Sequence, residues 1–429
     1  MLQRLHVRGF KSLFDVEVGL APLVVVLGPN AAGKSNFLES LFLLSRLVTE
    51  KTLADAFEPP LRGYPAEAFS LPEDGLPGLL ARDRAELAIE ADLVLSDSST
   101  IPGLRYSAGV EIEPRTGALG VENEYLARLL RDGSLKKMDP RVQRDGDHLV
   151  VRRLGEAGRP GHEPLGLNHT VASNLQLSGA KRYPDFDQLR AELARWSTYY
   201  LDPRIAMREP QPPREVRDIG PRGEWIAPFL HRLKESARLR KHFDAVRRAL
   251  HSAIPSIEGL DVDLDRTRGT LDIQITQDGT PYSSRVISEG TLRVLALCAI
   301  AANPAPSSLV AFEEPENGVQ PRRIEVIADL LTLMAASRRT QVIVTTHSPT
   351  LIGAMLRKSR ERRDLITLLR CTQEGRATRL LPFDTAGSAF DHHEIRKALL
   401  GAEDEAVEGR VFEDEALLEA LLIRGWLDG

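Results

Sequence analysis

The chain has almost nothing to staple it. Only two cysteines, Cys298 and Cys371, occur in 429 residues. Both sit in apolar surroundings and no C-x-x-C is present, which excludes a disulfide framework and a thiolate zinc hook. That usage fits a reducing compartment, and the expected location is cytoplasmic. Long apolar runs are missing too. No stretch approaches the ~18 residues that a membrane-spanning helix needs. The first residues read directly as strand, with no charged-then-apolar leader. No sustained heptad run breaks the sequence, so no long coiled-coil arm is expected. Internal repeats and low-complexity blocks are absent.

Charge of one sign is also lacking. Lys and Arg number 56 against 61 Asp and Glu, a net charge of −5. This argues against a uniformly basic nucleic-acid binder and leaves only local patches. His231–His251 reads as one helix bearing Arg232, Lys234, Arg238, Arg240, Lys241, Arg247 and Arg248. Its expected core face is Leu230, Leu233, Ala237, Phe243, Val246 and Leu250. Arg357–Arg363 is a second basic run. A solvated basic face and a phosphate-backbone contact both fit these residues. The hydrophobic content of 42% is ample for a core. The length allows one large lobe or two to three domains.

What is present begins with residues 22–27, Pro-Leu-Val-Val-Val-Leu, an apolar, β-branched run that reads as a buried strand. Gly28 ends it and opens Gly28-Pro29-Asn30-Ala31-Ala32-Gly33-Lys34-Ser35. A helix pattern follows from Lys34, with Phe37, Leu38, Leu41, Phe42 and Leu44 on one face. Strand, glycine loop and helix form the setting that G-x-x-x-x-G-K-[ST] requires. Backbone N–H groups of such a loop turn onto phosphates, and the helix N-terminus adds partial positive charge. Lys34 is expected to reach the β- and γ-phosphates, and Ser35 to hold Mg²⁺. The expected ATP site is Gly28 through Ser35, with Asn36.

A second buried strand, residues 309–312, ends in Glu313-Glu314. Glu313 is assigned to the Mg²⁺ shell and Glu314 to orienting or deprotonating the attacking water. Aspartate is usual at the first of these positions, so the longer Glu313 would reach the metal through a water. A solvated acidic turn, Glu-Glu-Pro-Glu, is the alternative. A third strand, Gln341–Thr345, runs into Thr346-His347-Ser348-Pro349. Pro349 suits the start of the next helix, and His347, at the strand's end, is placed to touch the γ-phosphate. Finally, Ser288-Glu289-Gly290-Thr291-Leu292-Arg293 precedes an apolar helix. Ser288 is a good N-cap, Glu289 suits the first turn, and Gly290 permits close approach of a ligand. Ser288, Glu289 and Gly290 would form a second anion site. On those six residues alone, a capped buried helix with no ligand fits better.

With these residues in hand, the chain resembles the RecF/SMC/OLD-like branch of ABC-type ATPases, and more closely the RecF-like AAA_21 proteins. Leu5–Leu13 looks like that family's opening, and Gly28–Asn36 like its phosphate loop, with Ala31 where Gly is common. Ile287–Leu297 is similar to its signature segment. Phe312–Pro321 resembles its acidic block, with Gln320 where His is usual, and Thr345–Pro349 its switch. Trp196–Arg208 also resembles these proteins. The resemblance implies an α/β P-loop NTPase fold of the ABC head type, with a mixed or parallel sheet flanked by helices and an inserted second lobe. It implies a homodimer with two sandwiched ATPs, each between one P-loop and the partner's signature. DNA repair, recombination or phage defence is the expected setting, with DNA and an effector protein as candidate partners. An ATP-gated scaffold that hydrolyses slowly and has no direct DNA role is the alternative. A small-molecule kinase shares the P-loop but leaves Ser288–Gly290 unexplained.

The expected division is 1–115 for the first half of the head, 116–223 for an inserted lobe and linker, 224–386 for the second half, and 387–429 for a helical tail. Residues 406–415 hint at the glutamate motif of a Toprim nuclease domain, but too few residues follow and no D-x-D is among them. They are read as an acidic helix. Residues 49–80 are rich in Pro and Gly and read as a loosely packed excursion. Alternating runs at 85–95 and 104–113 read as antiparallel strands.

Overall fold

The computed structural model of the chain describes residues 1–95, 101–130, 132–135, 140–154 and 160–383. The expected helical tail at 387–429 lies outside the described residues. The first half of the chain runs β1 (Leu2–Phe10), β2 (Leu13–Gly19), β3 (Leu23–Leu27), α1 (Lys34–Thr49), α2 (Leu53–Phe57), α3 (Gly75–Leu80), β4 (Ala85–Val94), β5 (Gly103–Glu113), β6 (Ala118–Leu129), β7 (Val142–Asp145), β8 (His148–Val151), β9 (Gly161–Pro164) and α4 (Pro184–Leu193). The second half runs β10 (Trp196–Tyr199), α5 (Ile226–Glu235), α6 (Arg240–Ala253), β11 (Ile257–Asp265), β12 (Thr270–Gln277), β13 (Thr280–Ser283), α7 (Glu289–Ala301), β14 (Leu309–Glu313), α8 (Ile324–Ala336), β15 (Gln341–Thr346), α9 (Pro349–Glu361), β16 (Ile366–Glu374) and β17 (Ala377–Pro382). The fold is α/β, as expected.

The chain forms two compact units. Of the described residues, the first comprises those within Met1–Ala21, Pro29–Trp196 and Arg370–Leu381, and the second those within Pro22–Gly28 and Ser197–Leu369, with Pro382 and Phe383. These bounds differ from the expected four-part division. β5 and β6 pair from Glu113↔Ala118 onward, straight through the expected break at residues 115 and 116.

The first unit is built on an eight-stranded sheet in the order β2-β1-β4-β5-β6-β7-β8-β9. The expected pair at 85–95 and 104–113 is its centre, β4 against β5, antiparallel from Ala85↔Ile112 to Val94↔Gly103. Leu87, Ile89, Ala91 and Leu93 are buried from β4, and Leu104, Tyr106, Ala108, Val110 and Ile112 from β5. That is the period of two that a half-buried strand imposes. α1 buries Phe37, Leu38, Leu41, Leu43, Leu44 and Leu47. Phe42, expected on that face, is only half-buried and lies under Arg46, 5.2 Å from the guanidinium carbon to its ring centre. The 49–80 excursion is packed rather than loose: Leu53, Phe57, Phe69 and Leu79 are buried. The Phe57 and Phe69 rings stack with centres 6.0 Å apart, a pairing between residues too far apart in sequence for local turn signals to reveal.

One buried carboxylate in this unit has a consequence for stability. Glu124 Oε1 accepts from the Tyr106 hydroxyl at 3.0 Å and the Ala172 N–H at 2.9 Å, and Oε2 from the Val171 N–H at 2.6 Å. Burial pushes its carboxyl up from 4.5 to about 7, against the opposing pull of those three donors. A carboxyl raised in the folded state binds its proton more tightly there than in the unfolded chain, so its stabilising contribution is complete below pH 4.5 and is lost as pH rises through about 7. Between pH 5 and pH 8 the wild type should lose about 2.5 kcal/mol of unfolding free energy relative to Glu124→Gln. Denaturant titrations of both proteins across that range test this, and a constant difference between them would overturn it.

The second unit carries the parallel strands. β14 pairs β15 from Leu309↔Gln341 to Glu313↔Thr345, and β15 pairs β3 from Val342↔Leu23 to Thr346↔Leu27, all parallel. β10 lies beyond β14, and the first part of β16 lies beyond β3. Leu23–Leu27, Leu309–Phe312 and Val342–Val344 are wholly buried, which is why they read as continuous apolar runs rather than alternating ones. α7 is apolar nearly all round and is buried with α8 in the same core. β11, β12 and β13 form a separate antiparallel meander, of which β13 carries no strand signal in the sequence. The single helix expected at His231–His251 is two. Ser236 turns extended and ends α5, and α6 restarts at Arg240. Leu230, Leu233, Phe243, Val246 and Leu250 are buried as expected, but Ala237 falls in the break and is exposed.

Candidate functional site

The phosphate loop leaves β3 at Gly28 and enters the first unit at Pro29. Ala31 stands at φ 68° and Gly33 at φ 102°, left-handed backbone that suits glycine at both places. Ala31 therefore holds a strained conformation where the related loops commonly have Gly. Gly33 has a second reason: a Cβ there would lie 1.9 Å from Thr378 Oγ1. That hydroxyl donates to the Ala32 carbonyl at 2.9 Å, and the Cys371 thiol donates to the same oxygen at 3.3 Å. Ser12 Oγ sits 2.7 Å from Thr378 Oγ1 and accepts from Asn36 Nδ2 at 2.7 Å. The opening motif of the chain thus braces the loop through its serine.

α1 begins at Lys34 with no side-chain cap and no acidic residue in its first turn. An uncapped helix start presents donors and partial positive charge to an anion. Lys34 folds back so that Nζ donates to the Pro29 carbonyl at 2.8 Å. These features fit a triphosphate with its metal at Ser35. Alongside, Lys11 Nζ and Arg62 Nε reach the wholly buried Glu39 at 2.6 and 2.7 Å. Lys11, Ser12, Phe14, Asn36, Arg62 and Arg376 help line a cavity of about 550 Å³. Lys11 belongs to the opening motif Leu5–Leu13, whereas neither Arg62 nor Glu39 is singled out by its sequence context.

In the second unit, strand register fixes where the carboxylates emerge. Because Glu313 is level with Thr345 and Thr346 with Leu27, Gly28, Glu313-Glu314 and Thr346-His347 all leave one edge of the parallel sheet. Ligands of open α/β sheets sit outside this carboxyl edge. Glu314 stands at φ 44°, and its N–H donates to the Thr345 carbonyl at 3.0 Å. A non-glycine residue held left-handed costs of order 1–3 kcal/mol and is typical of functional sites. Glu314 Oε1 lies 2.6 Å from His347 Nδ1. Sequence reasoning gave these two residues separate tasks; the structure joins them as a pair.

Glu316 was not anticipated. It is buried, Oε1 accepts from the Thr346 hydroxyl, and Oε2 has no partner. Burial pushes its carboxyl upward. Its only signal was its place as the third carboxylate of Glu-Glu-Pro-Glu.

At the start of α7, Ser288 caps as expected, Oγ accepting from the Thr291 N–H at 3.2 Å. The close approach made by Gly290 is to protein: a Cβ there would lie 2.7 Å from the Gly318 carbonyl oxygen. Arg204 pairs with Glu289 at 2.8 Å, Arg222 with Asp202 at 2.6 Å, and Arg208 donates to the Ile287 carbonyl at 2.5 Å. Arg204 and Arg208 thereby hold the run-in to α7, a task their sequence did not announce.

Among the expected site residues, the structure places Gly28, Ser288, Glu289, Gly290, Glu313, Glu314 and His347 in the second unit, and Pro29 to Asn36 in the first. No helix among the described residues is long and apolar enough to cross a membrane.

Comparison with known proteins agrees with this architecture. The family model described as "AAA domain, putative AbiEii toxin, Type IV TA system" matches residues 23–353. A 74-residue stretch is 36% identical to the OLD nuclease of Thermus scotoductus (strain ATCC 700910 / SA-01) and covers 17% of this chain but 11% of that protein. The SMC head solved in complex with the C-winged helix domain of ScpA superposes with a TM-score of 0.53 at 13% identity, covering 89% of this chain and 98% of that one. An SMC head domain from Thermotoga maritima covers 89% of this chain and 99% of its own at 15% identity, with a TM-score of 0.42. The chain belongs to the AAA_21 family of AAA-domain proteins.

Proposed function

We propose that the protein hydrolyses ATP with Mg²⁺, and that two copies close on two nucleotides, each held between Gly28–Asn36 of one copy and Ser288–Gly290 of the other. The observation that carries this reading is the Glu314–His347 pair at the carboxyl edge of the parallel sheet. On this reading the uncapped start of α1 and the Lys34 ammonium take the β- and γ-phosphates. Ser35 and Glu313 would hold Mg²⁺, which neutralises phosphate charge when bound. Glu314 orients the attacking water and draws its proton. The hydrogen bond at Nδ1 fixes the His347 ring and leaves Nε2 for the γ-phosphate as charge moves onto its oxygens.

The trans arrangement draws support from the surface beside α7. Ser288 is exposed, and Val286 and Ile205 near it are 71% and 67% exposed. Apolar side chains beside a helix end that favours anions suit a second copy carrying bound phosphate. A Ser288→Arg protein should bind ATP normally as a monomer and lose at least ~10-fold in turnover, since the bulky cation blocks the second copy's approach. Mixed with Lys34→Ala, it should regain activity, because one of the two composite sites in the mixed dimer is intact. No recovery in verified heterodimers, provided single sites can fire, would count against the sandwich.

The setting we favour is cytoplasmic DNA repair or phage defence. Support comes from the exposed face of α6, where Arg240, Lys241, Arg247 and Arg248 are exposed while Phe243, Val246 and Leu250 face the core, with Arg238 exposed in the turn before it. Such a stripe matches a phosphate backbone. Turnover measured with and without DNA tests it. Stimulation supports a DNA partner; a rate that DNA does not move favours the ATP-gated regulator of an effector protein.

A further inference from the structure

Among the described residues of the second unit, four buried side-chain polar atoms lack partners: Arg208 Nε, Arg293 Nε, Glu316 Oε2 and Thr345 Oγ1. Arg293 and Glu316 belong to the two elements that meet at the start of α7. Arg293 lies on the second turn of α7, three residues after Gly290 and four after Glu289, so it shares their side of the helix. That side packs on the carboxylate loop, since a Cβ on Gly290 would lie 2.7 Å from the Gly318 carbonyl, and the Val319 N–H in turn donates to the Glu316 carbonyl at 2.9 Å. Four carboxylates act electrostatically on the Arg293 guanidinium: Glu289, Glu316, Asp202 and, least, Glu314. Three are engaged elsewhere. Glu289 pairs with Arg204, Asp202 with Arg222, and Glu314 with His347. Glu316 alone retains a buried oxygen with nothing to accept from. Leaving a guanidinium nitrogen and a carboxylate oxygen both buried and unmatched is costly, and a small movement of α7 toward the loop relieves both at once.

We propose that Arg293 is a positioning residue that engages Glu316 when the start of α7 is occupied, and so couples that helix to the Glu314–His347 pair. The path is short. Glu316 holds the Thr346 hydroxyl, the Thr346 Oγ1 accepts from the Ser348 N–H at 3.0 Å, and His347 lies between those two residues. Arg293 draws the carboxylate loop toward α7, and Thr346–Ser348 follow through Glu316. This inference rests on the ATPase reading for its kinetic part only.

The test is a double-mutant cycle of Arg293→Ala and Glu316→Gln in the full chain, with Arg293→Lys as the conservative variant. Arg293→Ala should lower kcat for ATP about 10- to 100-fold, as expected for a misplaced reacting group, with KM within about 3-fold. Arg293→Lys should recover most of that rate, and the double variant should be no slower than the slower single one. Single effects that multiply, or a loss confined to KM, would overturn the coupling. The pair itself is read without turnover, by the same cycle on unfolding midpoints at saturating ATP. Non-additive midpoints support the pair and additive ones sink it. A wild type that binds ATP without hydrolysing it would refute the ATPase reading, while those midpoints still decide whether Arg293 and Glu316 interact.

Discussion

Lys34→Ala is expected to lose nucleotide affinity by roughly 100-fold or more, the scale set by removing two charge-assisted hydrogen bonds to phosphate. Turnover should fall below detection. The reason is local. Lys34 is the only cation in Gly28–Asn36, and its ammonium already lies against the Pro29 carbonyl at 2.8 Å, folded over the loop it would share with phosphate. The fold should survive, because the loop is braced from the other side at the Ala32 carbonyl. Equilibrium binding of a fluorescent ATP analogue and a phosphate-release assay measure both effects. Near wild-type values in either would remove the phosphate-loop assignment.

Glu314→Gln is expected to bind ATP normally and to hydrolyse it at least ~100-fold more slowly, as when a general base is removed. An amide keeps the shape and can still hydrogen-bond His347 Nδ1, so the ring should stay in place. What it cannot do is take a proton from water. The proposed dimer should therefore accumulate with ATP bound, visible as a doubling of mass in light scattering. A monomer under those conditions would refute the sandwich model. If Glu313→Gln is slow while Glu314→Gln is not, the two carboxylates have each other's tasks. The left-handed backbone of Glu314 argues for the assignment made here, since strain of that kind survives where a side chain must be aimed.

Much of this was legible because short-range chemistry writes itself into sequence. Leu23–Leu27 and Val342–Val344 are buried on both faces and read as unbroken apolar runs. Ser288 caps α7 through its own hydroxyl, a contact three residues long. What stayed hidden depends on partners far away in the chain. Glu314 meets His347 across 33 residues, and Thr346 meets Glu316 across 30. No local pattern marks which carboxylate of Glu-Glu-Pro-Glu turns inward. Gly290 also packs on the Gly318 backbone, a neighbour 28 residues on that no local pattern shows. The helix break at Ser236–Leu239 carries neither Gly nor Pro, the residues that normally announce one.

The bracing of the phosphate loop sets an order of events during synthesis. Ala32 is held by Thr378, 346 residues later, and β3 is flanked by β15 and β16, also made near the end. At ribosomal speeds of ~5–20 residues per second, the loop waits on the order of 20–70 s for the residues that fix it. Through that interval an apolar strand is made before the strands that flank it, the kind of exposed surface that favours aggregation during synthesis.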